Sequence, residues 1–174
     1  MLERLAAKPG GDRVEAVTGN MSDPPVDGRR FSLVLVAYNT LFNLTGPGAQ
    51  QTCFHNIAAL LADGGCFVVE AFVPEPDRIG PTDLVVPRTV TADRVVLSVT
   101  RSRPSDQTLL GQYIDITESG IRLRPWHIRY SGPAELDAMA TEAGLTLESR
   151  SAGWSDQAFG EDSPSHVSVY RADR

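Results

Sequence analysis

Lysine is almost missing from this sequence, with Lys8 alone against fifteen arginines, and that bias carries no mechanism. Cysteine is nearly as scarce. Cys53 and Cys66 are too few for a disulfide framework, no His/Cys spacing forms a zinc site, and both read as small core residues. No stretch approaches the roughly eighteen consecutive apolar residues of a membrane span. The opening Met1-Leu2-Glu3-Arg4-Leu5 lacks the layout of a secretory signal. Positive charge is in the minority, sixteen basic against twenty-two acidic residues among 174, for a net charge of −6. Such a chain has no general attraction for phosphate backbones or anionic lipid, which argues against nucleic-acid and membrane partners. A cytoplasmic, single-domain α/β or α+β protein without a metal is the expectation that remains.

What is present is organised in three stretches, 1–87, 88–130 and 131–174. In the first, Leu2, Leu5 and Ala6 share one helical face that stops at Pro9-Gly10-Gly11, and Val14-Glu15-Ala16-Val17 alternates like a short strand. Phe31 to Ala37 is nearly continuous apolar sequence, the pattern of a strand covered on both faces. Gln50 to Leu61 carries Phe54, Ile57, Ala58 and Leu61 as a helical stripe, and Asp63-Gly64-Gly65 is placed to end it. Cys66 to Phe72 is a second apolar strand, so the trio predicts a βαβ unit with parallel neighbours. Pro74, Pro76, Pro81 and Pro87 then mark a linker.

The middle stretch is net basic and contains three alternating segments, Arg94–Arg101, Leu109–Thr117 and Ile121–Tyr130, an antiparallel flap. The last stretch predicts a helix over 133–143 with Leu136, Met139, Ala140 and Ala143 on one face. Strands over Leu145–Ser149 and His166–Arg171 follow.

This order of elements resembles the class I S-adenosylmethionine-dependent methyltransferases, in the small-molecule branch that carries a flap before its last helix. The resemblance rests on Met1 to Leu5, Gly19-Asn20-Met21, Phe31 to Leu44, and Leu60 to Gly65 with the strand ending at Phe72. Arg129-Tyr130, Ala134 to Asp137, Ala143-Gly144-Leu145 and Ser165 to Tyr170 complete it. It implies a Rossmann-like sheet and methyl transfer to O or N of a small molecule. One departure stands out: the family's first strand, glycine-rich turn and second strand with its terminal acid have no counterpart here. The resemblance therefore implies an N-terminally truncated sheet lacking its first two strands, with one edge of Phe31–Ala37 unpaired. A homodimer would cover that edge. The second reading is a catalytically silent binding or oligomerisation domain.

The resemblance also assigns roles. Asn20 and Met21 are expected against the adenine of S-adenosylmethionine, and Tyr38, Asn39 and Thr40 around its amino-acid end. Phe42, Asn43, Phe72 and Arg129 are expected on the substrate side. From the residues themselves, Glu70 interrupts an apolar strand near its carboxyl end. A carboxylate there must pair, as with Arg129, or act on substrate as a base. His127 on the flap is either a general base or, like Trp126, a packing residue.

Overall fold

The computed structural model describes residues 2–26, 28–74 and 83–172. A short helix α1 (Leu2–Ala6) opens it and buries none of its side chains, so the Leu2/Leu5/Ala6 stripe finds no core to face. Val14 to Val17 is extended but belongs to no strand. A strand's N–H and C=O groups need a neighbour to pair with, and no described strand lies beside this segment.

The apolar run forms β1 (Phe31–Val36), and the helical stripe forms α2 (Ala49–Leu60). Leu61 turns extended at once and begins β2 (Leu61–Phe72), which runs parallel to β1 with Val34 opposite Phe67 and Val36 opposite Val69. The helix thus ends before Asp63-Gly64-Gly65. The left-handed Gly64 (φ 66°) lies inside an irregular stretch of β2, not at a helix cap. Gly65 permits close approach there: a Cβ on it would stand 2.9 Å from the Phe31 carbonyl oxygen.

Four strands, not three, build the flap: β3 (Asp83–Val90), β4 (Arg94–Arg103), β5 (Thr108–Thr117) and β6 (Gly120–Arg129), an antiparallel meander in that order. The first of them was hidden by Pro87, which read as part of a linker. Pro87 is tolerated because β3 is an edge strand, and Arg88 beside it is an unpaired bulge residue between Pro87 and Thr89. Pro76 and Pro81 lie outside the described residues.

The chain ends with α3 (Pro133–Glu142), β7 (Leu145–Ser151) and β8 (Ser165–Ala172). The main sheet has the order β1-β2-β8-β7, with β8 antiparallel to both of its neighbours. Helices α2 and α3 pack on one face of it. Phe54 meets Phe67 and Tyr170 edge-on at 5.1 and 5.7 Å, and Leu136, Met139 and Ala140 join the same core. Along β1, Val34 and Val36 pack against that core, while Leu33 and Leu35 point the other way and are 55% and 51% exposed. Among the described residues nothing pairs with the outer edge of β1. No helix among them is long and apolar enough to cross a membrane.

Candidate functional site

At the carboxyl ends of β1 and β2 the chain makes a constrained turn. Tyr38 and Asn39 are both left-handed, at φ 58° and 60°. Such conformations are costly for residues with a Cβ and persist only when the surroundings fix them. Three hydrogen bonds do so here. The Tyr38 N–H donates to Glu70 Oε2 (2.8 Å), the Asn39 N–H to the Glu70 carbonyl (3.1 Å), and the Phe72 N–H to Asn39 Oδ1 (2.7 Å). The turn continues into a 3-10 helix, Thr40–Asn43, whose Leu41 and Phe42 are fully buried. The Tyr38 side chain is left 85% exposed.

The flap covers this turn. Cross-strand register pairs Leu109 with Ile128, Gly111 with Trp126 and Tyr113 with Arg124, so alternate residues face the turn. Between them lies a cavity of about 390 Å³. Tyr38, Asn39, Asn43 and Phe72 line it from below, Tyr113, Trp126 and Ile128 from the flap, and Arg88 from the edge. Gly111 is what lets the Trp126 indole lie across β5: a Cβ there would stand 2.2 Å from the ring and 2.7 Å from the Val99 carbonyl.

A separate apolar slot of about 290 Å³ opens beside the outer edge of β1. Asn20 and Met21 line it together with Val34, Val36, Cys53 and Ile57. The Asn20 Oδ1 accepts the N–H of Ser22 at 3.0 Å, a local turn bond. Burial pushes the Cys53 thiol up to about 11, so it stays protonated. No carboxylate and no glycine-rich turn lines the slot among the described residues, so its shape suits a flat ring and offers no partner for ribose hydroxyls.

The residues singled out from sequence are thus divided. Asn20 and Met21 stand at the slot, and Tyr38, Asn39, Asn43 and Phe72 meet at the cavity. Thr40 starts the 3-10 helix outside the cavity lining, and Phe42 is core, edge-on to Phe72 at 5.1 Å. Arg129 is a joint between flap and helix. It reaches Glu135 at 2.8 Å, Gln107 at 3.0 Å and Ser131 at 3.1 Å, while its carbonyl accepts from Gln50 Nε2 at 2.8 Å. Burial alone would raise the Glu135 carboxyl, but the hydrogen bonds from Arg129 and Gln107 outweigh it and hold it below the usual range. Glu70 therefore pairs with a backbone amide and not with Arg129. His127 pairs with Leu110 in register and lies on the outer face of the flap, away from the cavity.

Sequence reasoning passed over Arg88, Tyr113 and Gly111. The alternation that puts Trp126 and Ile128 on one face and His127 on the other was a readable signal. Arg88 gave none, standing just past the apparent linker and ahead of the first alternating segment.

A second polar cluster is buried under α3. Tyr170 Oη and Arg150 both bond Asp137, at 2.9 and 2.5 Å, and Ser168 Oγ bridges Arg150 Nε and His166 Nδ1 at 2.8 Å each. His166 is fully buried, and its Nε2 has no partner among the described residues. Burial, reinforced by the Arg150 charge, lowers its pKa to about 4.

No protein-family model and no curated protein matches the chain. Solved structures do. The CcbJ methyltransferase from Streptomyces caelestis is 39% identical with a TM-score of 0.92, over 99% of this chain and 69% of that one. An S-adenosylmethionine-dependent methyltransferase from Clostridium acetobutylicum shares the fold at a TM-score of 0.76 and 9% identity, over 88% of this chain and 63% of that one. CalS10, an amino pentose methyltransferase from Micromonospora echinaspora solved with its donor bound, does so at 0.62 and 20%, over 88% and 62%. The chain thus spans less than two thirds of the latter two. With the strand order, the clamped turn and the flap in place, the chain belongs to the S-adenosylmethionine-dependent class I methyltransferases.

Proposed function

We propose that the chain serves methyl transfer from S-adenosylmethionine to an oxygen or nitrogen of a small molecule, acting as one domain. The acceptor occupies the cavity under the flap, and the adenine of the donor lies in the slot beside Asn20 and Met21. The observation that carries this reading is the turn at Tyr38–Asn39. It is held left-handed at the carboxyl ends of two parallel strands, where open α/β sheets bind ligands, with an open cleft between it and the flap.

When bound, S-adenosylmethionine supplies an electrophilic methyl group on a sulfonium. The residues of this chain act by placement. Glu70 holds the Tyr38 amide, Asn39 ties the turn to Phe72, and the flap rings of Tyr113 and Trp126 give the acceptor a surface to lie against. Alignment of the acceptor is the main contribution such a site makes, and removal of a proton follows as a lesser one. Glu70 is a positioning residue in this scheme.

A second reading is favoured by one observation, the missing carboxylate and glycine turn at the slot among the described residues. On that reading the chain is a methyltransferase-like binding domain, and pairing of two copies across the open edge of β1 is its function. Calorimetry with S-adenosylhomocysteine separates the two. Sub-millimolar affinity is the result expected here, and no heat of binding would leave the silent domain standing.

A further inference from the structure

The flap arginines are mostly spoken for. Arg94 forms a two-pronged pair with Asp115 at 2.8 and 2.6 Å, Arg101 does the same with Asp83 at 2.8 and 2.7 Å, and Arg129 is locked to Glu135. Arg124 lies over the Tyr113 ring, 5.8 Å from its centroid, and within 3.8 Å of Asp115. Arg88 is different. Like Arg103 and Arg122, it is exposed at the surface or edge of the flap with no hydrogen bond or ion pair among the described residues. Of these three it alone lines the acceptor cavity. No carboxylate lines that cavity among the described residues.

The backbone explains how it comes to be there. The bulge between Pro87 and Thr89 inserts one residue with no partner on β4, and a bulge re-aims the side chain it carries. A guanidinium is a planar fork suited to gripping a carboxylate or a phosphate monoester through two parallel N–H bonds. The rest of the lining mixes apolar and aromatic surfaces, Phe72, Tyr113, Trp126 and Ile128, with the polar side chains of Asn39, Asn43, Ser98 and Thr100. A positive fork at the rim and rings within define a ligand with an oxyanion at one end and an apolar body at the other.

We infer that Arg88 is a specificity-determining residue, and that the acceptor of this methyltransferase domain carries an oxyanion, a carboxylate or a phosphate monoester, beside an apolar or aromatic body. This rests on reading the cavity as the acceptor side, and its test keeps the two claims apart. The chain has two tryptophans, Trp126 and Trp154, so its indole N–H groups give two NMR cross-peaks, and Trp126→Phe assigns the one at the cavity. Phenylacetate, phenyl phosphate and the neutral isostere phenylacetamide are titrated against that peak, and S-adenosylhomocysteine is titrated separately.

At least one of the two anions is expected to bind some tenfold tighter than the amide, about 1.4 kcal/mol. Arg88→Gln abolishes the difference without changing Tm, Arg88→Lys keeps part of it, and added salt weakens the anions only. Whichever anion binds more tightly identifies the group. Equal binding of all three probes, binding of none, or an Arg88→Gln variant that loses S-adenosylhomocysteine but keeps the anions would overturn the inference. Anion-selective binding without S-adenosylhomocysteine binding would instead fault the proposed methyl transfer and leave Arg88 its role.

Discussion

The Glu70 carboxylate accepts the main-chain N–H of Tyr38 at 2.8 Å, and so fixes the conformation of a residue that lines the cavity under the flap. A charged acceptor on a backbone amide stabilises by about 1.5–3 kcal/mol. Here that bond offsets the cost of two successive left-handed residues. It also gives a buried-strand carboxylate a partner without any cation.

Glu70 can be separated into its two conceivable roles. Glu70→Gln keeps an oxygen to accept the Tyr38 amide, whereas Glu70→Ala does not. S-Adenosylhomocysteine affinity and methyl transfer are expected to stay within about threefold for Gln and to fall about tenfold or more for Ala. A Gln variant that binds normally but transfers no methyl group would make Glu70 a base after all.

Gly111 and Trp126 form a close pair whose disruption is measurable. Gly111→Ala forces the indole off β5 and is expected to cost about 1–3 kcal/mol of stability, with a shift in tryptophan emission. His127→Ala, on the outer face of the flap, should leave both emission and affinity unchanged. Denaturant melts followed by fluorescence check both variants.

His166 makes stability depend on pH in a defined window. Its folded pKa, near 4, lies below the ordinary imidazole value, so the unfolded chain binds the extra proton first. Stability is therefore fully present above about pH 6.5 and falls as the pH drops toward 4, by about 3 kcal/mol at most. Glu135, held low by Arg129, loses its contribution only further down the scale. Thermal melts of His166→Gln should be flatter than wild type between pH 6.5 and 4.5. An equally steep profile would show that other groups set the acid limb.

The outer edge of β1, with Leu33 and Leu35 exposed beside it, predicts association that grows with protein concentration. Sedimentation velocity should show it, and Leu33→Lys, outside the slot lining, should suppress it while leaving the S-adenosylhomocysteine titration unchanged.

The βαβ unit and the last helix were legible because their patterns are long and periodic. Phe54 and Ile57 on α2, and Leu136, Met139 and Ala140 on α3, fell where expected, whereas Leu61 was expected on the helix and instead opens β2. Elements that depend on a neighbour were not legible. The Val14–Val17 stretch alternates properly, but alternation makes a strand only when a second strand supplies its hydrogen bonds. The converse error hid β3: its Pro87 forbids a central strand and is harmless at a free edge. At the site, the resemblance pointed alike to Tyr38, Asn39 and Asn43, which line the cavity under the flap, and to Thr40, Phe42 and Arg129, which do not. Only tertiary contacts tell those groups apart, since a buried Phe42 and a lining Phe72 look alike in one dimension.

The meander is riveted at one side and loose at the other. Arg129, Gln107 and Gln50 fasten β6 to the helical layer, and the Tyr130 N–H adds a 2.8 Å bond to the Gln107 carbonyl, whereas β3 hangs from β4 alone. On the proposed role of Arg88, ligand preference is written on the border farthest from the rivets. Exchanges around residue 88 can retune what the cavity admits while the scaffold beneath keeps its shape, which gives this architecture room to diversify its chemistry one edge residue at a time.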